Sequence, residues 1–221
     1  GQYENRVGGK GNFGARGQGQ INQGFELPND GFFSLSADIG IQESSNVAGA
    51  VPDRTRIYFP VNGAADPRET SESRYRQQLG QPRSQTYNFG YNAELPLTDT
   101  VSLYSFSTLS HRNSTSWGTY RTANSPQNIV SVYPEGFSPR FVVEEDDFQT
   151  VIGLRNEDVA GWKLDLSTSY GRNDANTRNE KSLNPSLGPD SPRNMDGGHL
   201  IASQWTNNLD LTRAFDLGSV S

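Results

Sequence analysis

Trp162-Lys163-Leu164-Asp165-Leu166-Ser167-Thr168-Ser169-Tyr170 switches character at almost every step. Trp162, Leu164, Leu166, Thr168 and Tyr170 form one set, and Lys163, Asp165, Ser167 and Ser169 the other. A period of two puts the two sets on opposite faces of an extended strand. The turn residues Glu157-Asp158-Val159-Ala160-Gly161 come immediately before it. Before them, Phe148, Thr150, Ile152 and Leu154 oppose Gln149, Gly153 and Arg155. Strand, tight turn and strand make a hairpin with one apolar and one polar face.

The same unit recurs in both directions. Phe13, Ala15, Ile21, Phe25 and Leu27 oppose Arg16, Gln18, Gln20, Asn22 and Glu26, up to the turn Pro28-Asn29-Asp30-Gly31. Phe33, Leu35, Ala37, Ile39 and Ile41 then alternate with Ser34, Ser36, Asp38 and Gly40. Tyr87, Phe89, Tyr91, Ala93 and Leu95 alternate with Asn88, Gly90, Asn92 and Glu94, and Pro96-Leu97-Thr98-Asp99 follows. Val101 to Ser110 is strand-like with ambiguous faces: Tyr104 and Phe106 on one, Leu103 and Leu109 on the other. Trp205, Leu209, Leu211 and Phe215 oppose Gln204, Thr206, Asn208, Asp210 and Thr212, before a last turn at Asp216-Leu217-Gly218. This gives seven strands, with part of one more in the first ten residues.

Long polar stretches at Glu43 to Arg83, Trp117 to Asp146 and Asn173 to Leu200 fall between the tight turns. Short turns at one end and long loops at the other are the asymmetry of transmembrane β-barrels. Within the strands, charges keep to the polar face except Arg213, which lies beside a turn. That matters because Lys or Arg at the bilayer midplane on the lipid face costs about 2–4 kcal/mol. Trp162 and Tyr170, eight residues apart, are separated by roughly 20 Å along a membrane normal at the usual rise and tilt. Such a span suits aromatic girdles around an apolar band.

Only 32% of the 221 residues are hydrophobic and mean hydropathy is −0.73, values that lean toward disorder. Aromatics at 10% oppose that reading, and a barrel with a polar lumen and polar loops reconciles the two. No run of about 18 apolar residues exists, so no transmembrane helix is expected. Net charge is −6 without a basic cluster, which argues against a nucleic-acid partner. The chain begins Gly1-Gln2-Tyr3 with no signal peptide and stops inside a turn, so it is read as a piece of a longer exported chain.

Chemistry-bearing motifs are sparse. Cysteine is absent, which excludes a thiol nucleophile. His111 and His199 lack second ligands at zinc spacing, no Gly-x-Ser-x-Gly elbow occurs, and the glycines from Gly8 to Gly19 are not followed by Gly-Lys-Ser/Thr. Glu144-Glu145-Asp146-Asp147 reads as a solvated rim and not as a calcium loop. No enzyme activity, cofactor or metal is expected. Ligand-contact candidates are the loop cations and aromatics Arg54, Arg56, Tyr58, Tyr120, Arg121, Tyr133 and Arg140, with Phe59, Phe137 and Phe141 beside them. Such mixtures suit anionic or sugar-like cargo. The competing reading is that these side chains pack the loops onto each other.

Several stretches, taken in order, resemble the barrel of TonB-dependent outer-membrane receptors. They are Gly31-Phe32-Phe33-Ser34-Leu35-Ser36-Ala37, Asp66-Pro67-Arg68-Glu69, Leu103-Tyr104-Ser105-Phe106-Ser107 with Ser110-His111-Arg112, and Tyr133-Pro134-Glu135-Gly136-Phe137. Gly161-Trp162-Lys163-Leu164-Asp165-Leu166-Ser167, Ser169-Tyr170-Gly171 and Asn184-Pro185-Ser186-Leu187-Gly188 continue the series. The resemblance implies an all-β, antiparallel, up-and-down transmembrane barrel of 22 strands, of which residues 1–221 supply about a third. It also implies a plug domain and a TonB-binding segment, neither present in this chain, a place in a Gram-negative outer membrane, and TonB-driven uptake of a scarce solute such as a ferric siderophore. The expected partners are outer-membrane lipid, TonB and a small-molecule cargo. A small closed barrel with a structural or adhesive role, and a soluble carbohydrate-binding β-sandwich, are the alternatives.

Overall fold

In the computed structural model, which describes residues 13–215, the chain forms one seven-stranded antiparallel sheet. The strands are β1 (Arg16–Leu27), β2 (Gly31–Gln42), β3 (Arg83–Pro96), β4 (Val101–Trp117), β5 (Arg140–Val159), β6 (Trp162–Glu180) and β7 (Met195–Thr212). Order in space equals order in sequence, with no crossover. The sheet is open, since β1 and β7 each have a neighbour on one side only. The stub strand expected in the first ten residues and the turn at Asp216-Leu217-Gly218 lie outside the described residues.

The tight connections are built by residues that accept positive φ. Asn29 and Asp30 both have φ 59° between β1 and β2, and the Gly31 N–H donates to Pro28 O at 3.2 Å. Ala160 (φ 54°) and Gly161 (φ 83°) close β5 onto β6, the pair of positive φ values that a type I′ hairpin requires. A register shift between Asn156 and Val159 precedes that turn. All three tight turns lie at one end of the sheet, and the connections 43–82, 118–139 and 181–194 at the other.

The strands run further toward the long loops than alternation suggests. β5 begins at Arg140, β6 continues to Glu180 and β7 starts at Met195, within stretches expected to be loop. Apolar periodicity fades there, but backbone pairing does not need it. Polar cross-strand pairs replace it: Arg178 Nη2 to Glu144 Oε1 at 2.8 Å, Asn173 Nδ2 to Asp147 Oδ1 at 2.7 Å, and Arg112 to Glu145. Each such pair contributes about 0.2–1 kcal/mol.

Register settles the ambiguous β4. Leu103 lies between Leu95 and Leu154, and the row continues through Leu166 to Leu209. Leu103 and Leu109 therefore share the apolar face. Tyr104 and Phe106 occupy the polar one.

Among the described residues no second layer covers either face, so the sheet has almost no core. The hydrophobic cluster of buried residues sits in the loops instead: Val51, Ile57, Tyr58 and Ala123, with Tyr120 packed against them. Two short helical segments lie in the loops: α1 (Arg68–Ser71) in the first, whose Glu69 bonds Ile57 and Tyr58, and a 3-10 turn at Pro185–Asp190 in the third. No helix among the described residues is long and apolar enough to cross a membrane.

Candidate functional site

Three surfaces present chemistry, and the first is the apolar face. Ile21, Phe89, Leu109, Ile152, Leu166, Trp205 and Leu209 all point there, and Trp205 is 68% exposed. A water-facing surface rarely carries so large a contiguous apolar patch. Aromatic side chains border the band. Tyr170 and Trp205 face each other in register with ring centroids 6.0 Å apart, and Trp162 meets Phe215 edge-on at 6.3 Å.

The upper limit of the band runs obliquely across the sheet. Glu43, just past β2, pairs with Arg83 at the start of β3. Arg83 aligns through Thr115 and Val142 with Arg178 on β6. The first outward charge on β6 is Arg172, six residues below Arg178. The outward charges are level from β2 to β3, step down by six residues, about 20 Å, over the three strand spacings from β3 to β6, and on β7 return with Asp196 to the row of Arg178.

The polar face is a network of amides, hydroxyls and paired charges. Gln18 and Asn88 donate to the two oxygens of Asp38 at 2.8 and 2.9 Å, and Ser110 Oγ donates to Asn88 Oδ1 at 2.7 Å. Nearer the tight turns, Tyr104 donates to Asp165 Oδ1 at 2.6 Å, and Arg155 lies 3.4 Å from Asp165 and 3.8 Å from Glu94. The phenol reaches Asp165 by crossing Gly153, where a Cβ would come within 2.3 Å of the ring. Small side chains in the row Ser36, Gly90, Thr108 open a groove of about 670 Å³ lined also by Asn22, Asp38 and Asn88.

The third surface is the loop cap. Glu69 is buried and its Oε1 accepts the backbone N–H groups of Ile57 (2.7 Å) and Tyr58 (2.9 Å). Its other oxygen accepts from Arg74 at 2.9 Å, and Arg74 also donates to the carbonyls of Val51, Pro52 and Thr55. This ties one end of the first loop around itself. A second cluster joins the first loop to the second: Glu135 receives Tyr58 OH, Arg76 at 2.9 Å and Arg68 at 3.3 Å. The Arg68 guanidinium lies 4.0 Å above the Tyr58 ring and pairs with Asp66 at 2.8 Å. The third loop is linked by Tyr133 OH, which donates to Ser182 O at 3.4 Å.

Electrostatics follow this geometry. Burial, and then the bond to Glu135, pushes the Tyr58 phenol up to about 12. The Tyr58 hydroxyl, Arg76 and Arg68 together hold Glu135 below the usual carboxylate value despite its partial burial. Burial opposes ionisation of Glu69, but the Tyr58 N–H, Arg74 and the Ile57 N–H outweigh it and leave its pKa lowered. The proton in the Tyr58–Glu135 contact therefore belongs to the phenol.

These contacts place the sequence candidates. Tyr58 is buried in the loop core, Tyr120 OH donates to Glu135 O at 2.5 Å, and Tyr133 stacks on Phe137 at 4.4 Å. Arg140 pairs with Glu180 at 2.8 Å. Arg54 and Arg56 are exposed, and Arg121 lies over the Phe137 ring at 5.4 Å. The residues that clasp the loops, Arg68, Glu69, Arg74, Arg76 and Glu135, carry no periodic signal. Two stretches singled out in the sequence, Asp66 to Glu69 and Tyr133 to Phe137, do meet here.

The acidic run is divided among separate partners: Glu144 with Arg178, Glu145 with Arg112, Asp146 with His111, and Asp147 with Asn173. Among the described residues no group of three or more His, Asp or Glu is arranged to hold a metal ion. Comparison with protein-family models, curated proteins and solved structures found no match to this chain.

Proposed function

We propose that this chain is part of the wall and mouth of an outer-membrane transport barrel, of the 22-stranded TonB-dependent receptor type, that takes up a scarce solute. The observation that carries the reading is the oblique apolar band. Strands in a membrane barrel tilt by about 35–45°, so a flat membrane boundary cuts across their register at that angle. The descent of the outward charges from β3 to β6 on an exposed apolar face supports such a boundary.

Three further features agree. Tight turns at one end and long connections at the other match periplasmic and extracellular sides. The uncovered apolar face would meet lipid and the amide-rich face a lumen. Each unpaired backbone group at an edge costs several kcal/mol in lipid, so β1 and β7 need further strands beside them. In this scheme the clasped loops form the outer mouth that receives cargo, and energy coupling through TonB would involve a segment other than residues 1–221.

The test uses the absence of cysteine. Single cysteines at each position from Trp162 to Tyr170, spin-labelled in lipid vesicles, should alternate with period two. Labels at Leu164, Leu166 and Thr168 should be reached by oxygen from the lipid, and those at Lys163, Asp165 and Ser167 by a water-soluble relaxation agent. Equal access of the water-soluble agent to Leu166 and Ser167 would overturn the reading.

A further inference from the structure

The second loop folds back on itself through paired backbone bonds between Arg121 and Phe137, at 2.7 and 2.9 Å. Beside that hairpin is a cleft of about 460 Å³. It is lined by Thr119, Arg121, Thr122, Ser125, Gln127 and Phe141; the Thr122 hydroxyl donates to Asn124 Oδ1 at 2.7 Å and Ser125 Oγ accepts the Gln127 N–H at 3.1 Å, which leaves each hydroxyl oxygen a further lone pair. Phe141 is 42% exposed. At Gly118 a Cβ would come within 2.8 Å of that ring, so the glycine is what lets the ring lie against the loop.

Arg121 is the one charged residue in this lining. Among the described residues its guanidinium has no carboxylate partner, unlike Arg68, Arg74, Arg76 and Arg140 around it. It is held instead over Phe137, a ring locked by full burial. A guanidinium oriented by an aromatic face keeps its fork of donors free for a planar two-oxygen acceptor. In a chain of net charge −6, a cation left unpaired between hydroxyl-bearing walls stands out as a site for an anion.

We propose that this cleft binds an acidic sugar, with a hexuronate carboxylate on Arg121, its apolar ring face against Phe141, and its hydroxyls on Thr119, Thr122, Ser125 and Gln127. One or two sugar units match the size of the cleft, which falls within the usual range for small-ligand sites. That such a ligand is cargo rests on the transport reading; that it binds here does not.

The test is calorimetric titration of the 221-residue chain in detergent micelles with glucuronate, glucose and inorganic phosphate. Saturable glucuronate binding at least about tenfold tighter than glucose is expected, since a charge-assisted pair contributes about 1.5–3 kcal/mol and 1.4 kcal/mol is tenfold. Arg121→Gln should lose the preference for glucuronate, Arg121→Lys should keep part of it, and Phe141→Ala should weaken both sugars. Lys181→Gln, an exposed cation of the third loop outside the cleft lining, should bind as the parent does. Unchanged hydrogen exchange at Ile57 and Tyr58 verifies that each variant keeps its loop cap. Undiminished glucuronate binding by Arg121→Gln, or phosphate binding as tight as glucuronate, would overturn the proposal. Because the titration needs no bilayer, its failure and that of the spin-label scan are independent results.

Discussion

Glu69→Ala should open the loop cap and leave the sheet intact. The carboxylate is 5% exposed and serves three donors: the N–H groups of Ile57 and Tyr58, and Arg74. Orphaning a buried N–H costs about 1–3 kcal/mol. Removing one partner of a buried ion pair costs about 3–5 kcal/mol in total. Arg74 would retain four carbonyl acceptors, that of residue 69 included, and the exposed Asp53 at 3.4 Å, which favours the low end, about 3 kcal/mol. That amounts to roughly a 100-fold rise in local opening. Hydrogen exchange resolved at Ile57 and Tyr58 is the direct assay, because those two amides lose their acceptor only if the geometry is as described. Far-ultraviolet circular dichroism should keep its sheet signal. Glu72→Ala, which removes an exposed contact 3.6 Å from Arg76, should change the exchange by less than about threefold. An exchange rate in Glu69→Ala within about threefold of the parent would refute the clasp.

Other outcomes follow from the two faces and the cap. Leu166→Arg should cost about 2–4 kcal/mol in a denaturant titration of chain folded into vesicles, whereas Ser167→Arg on the polar face should cost far less; equal costs would contradict the lipid-facing band. Gly153→Val should drive the Tyr104 ring off Asp165 and destabilise by about 1–3 kcal/mol, visible as a changed tyrosine absorption and a lower midpoint. Loop docking should have both acid and alkaline limits. Tyr58 is raised above its ordinary 10.0, so its contribution is complete below pH 10 and lost as pH rises toward about 12. Glu69 and Glu135 are lowered from 4.5, so their contribution is present above that value and lost as pH falls below it. Exchange at the Ile57 amide, corrected for its intrinsic pH dependence, should report both limits.

What the sequence made legible was periodicity. Trp162 to Tyr170 declares its faces because each alternate residue differs sharply in polarity, and the register puts Leu166 and Asp165 on opposite sides as expected. The turns were readable for a local reason too, since Pro28-Asn29-Asp30 and Ala160-Gly161 carry the residues that their backbone angles favour. Strand ends near Arg140, Glu180 and Met195 were not readable, because ladders of Glu, Arg and Asn look like loop composition. Tyr104 is a different failure: its side follows from the leucine row across four other strands, a long-range fact. The loop core was hidden because Ile57 comes from the first loop and Ala123 and Phe137 from the second, and no period links them. Tyr58 and Tyr133, ligand-contact candidates by composition, also bond between loops, and composition carries no sign of that. Arg121 is set apart by the cleft it lines and the Phe137 ring it lies over, a juxtaposition of both arms of its hairpin that cannot be read from a chain.

The clasp at Glu135 gives the loop cap a thermodynamic property. Tyr58, Arg68 and Arg76 come from one loop, and Glu135 lies in the other, two residues from Phe137, which supports Arg121. Any solute that binds better when the second loop is docked must tighten the docking of the first by the same factor, because coupling between sites is reciprocal. Capture would then be felt some distance from the cleft, as a stiffening of residues that never touch the solute. Conversely, variants that loosen Arg68 or Arg76 should weaken capture without altering a single contact to it. The loops would behave as one gated assembly and not as three independent tethers.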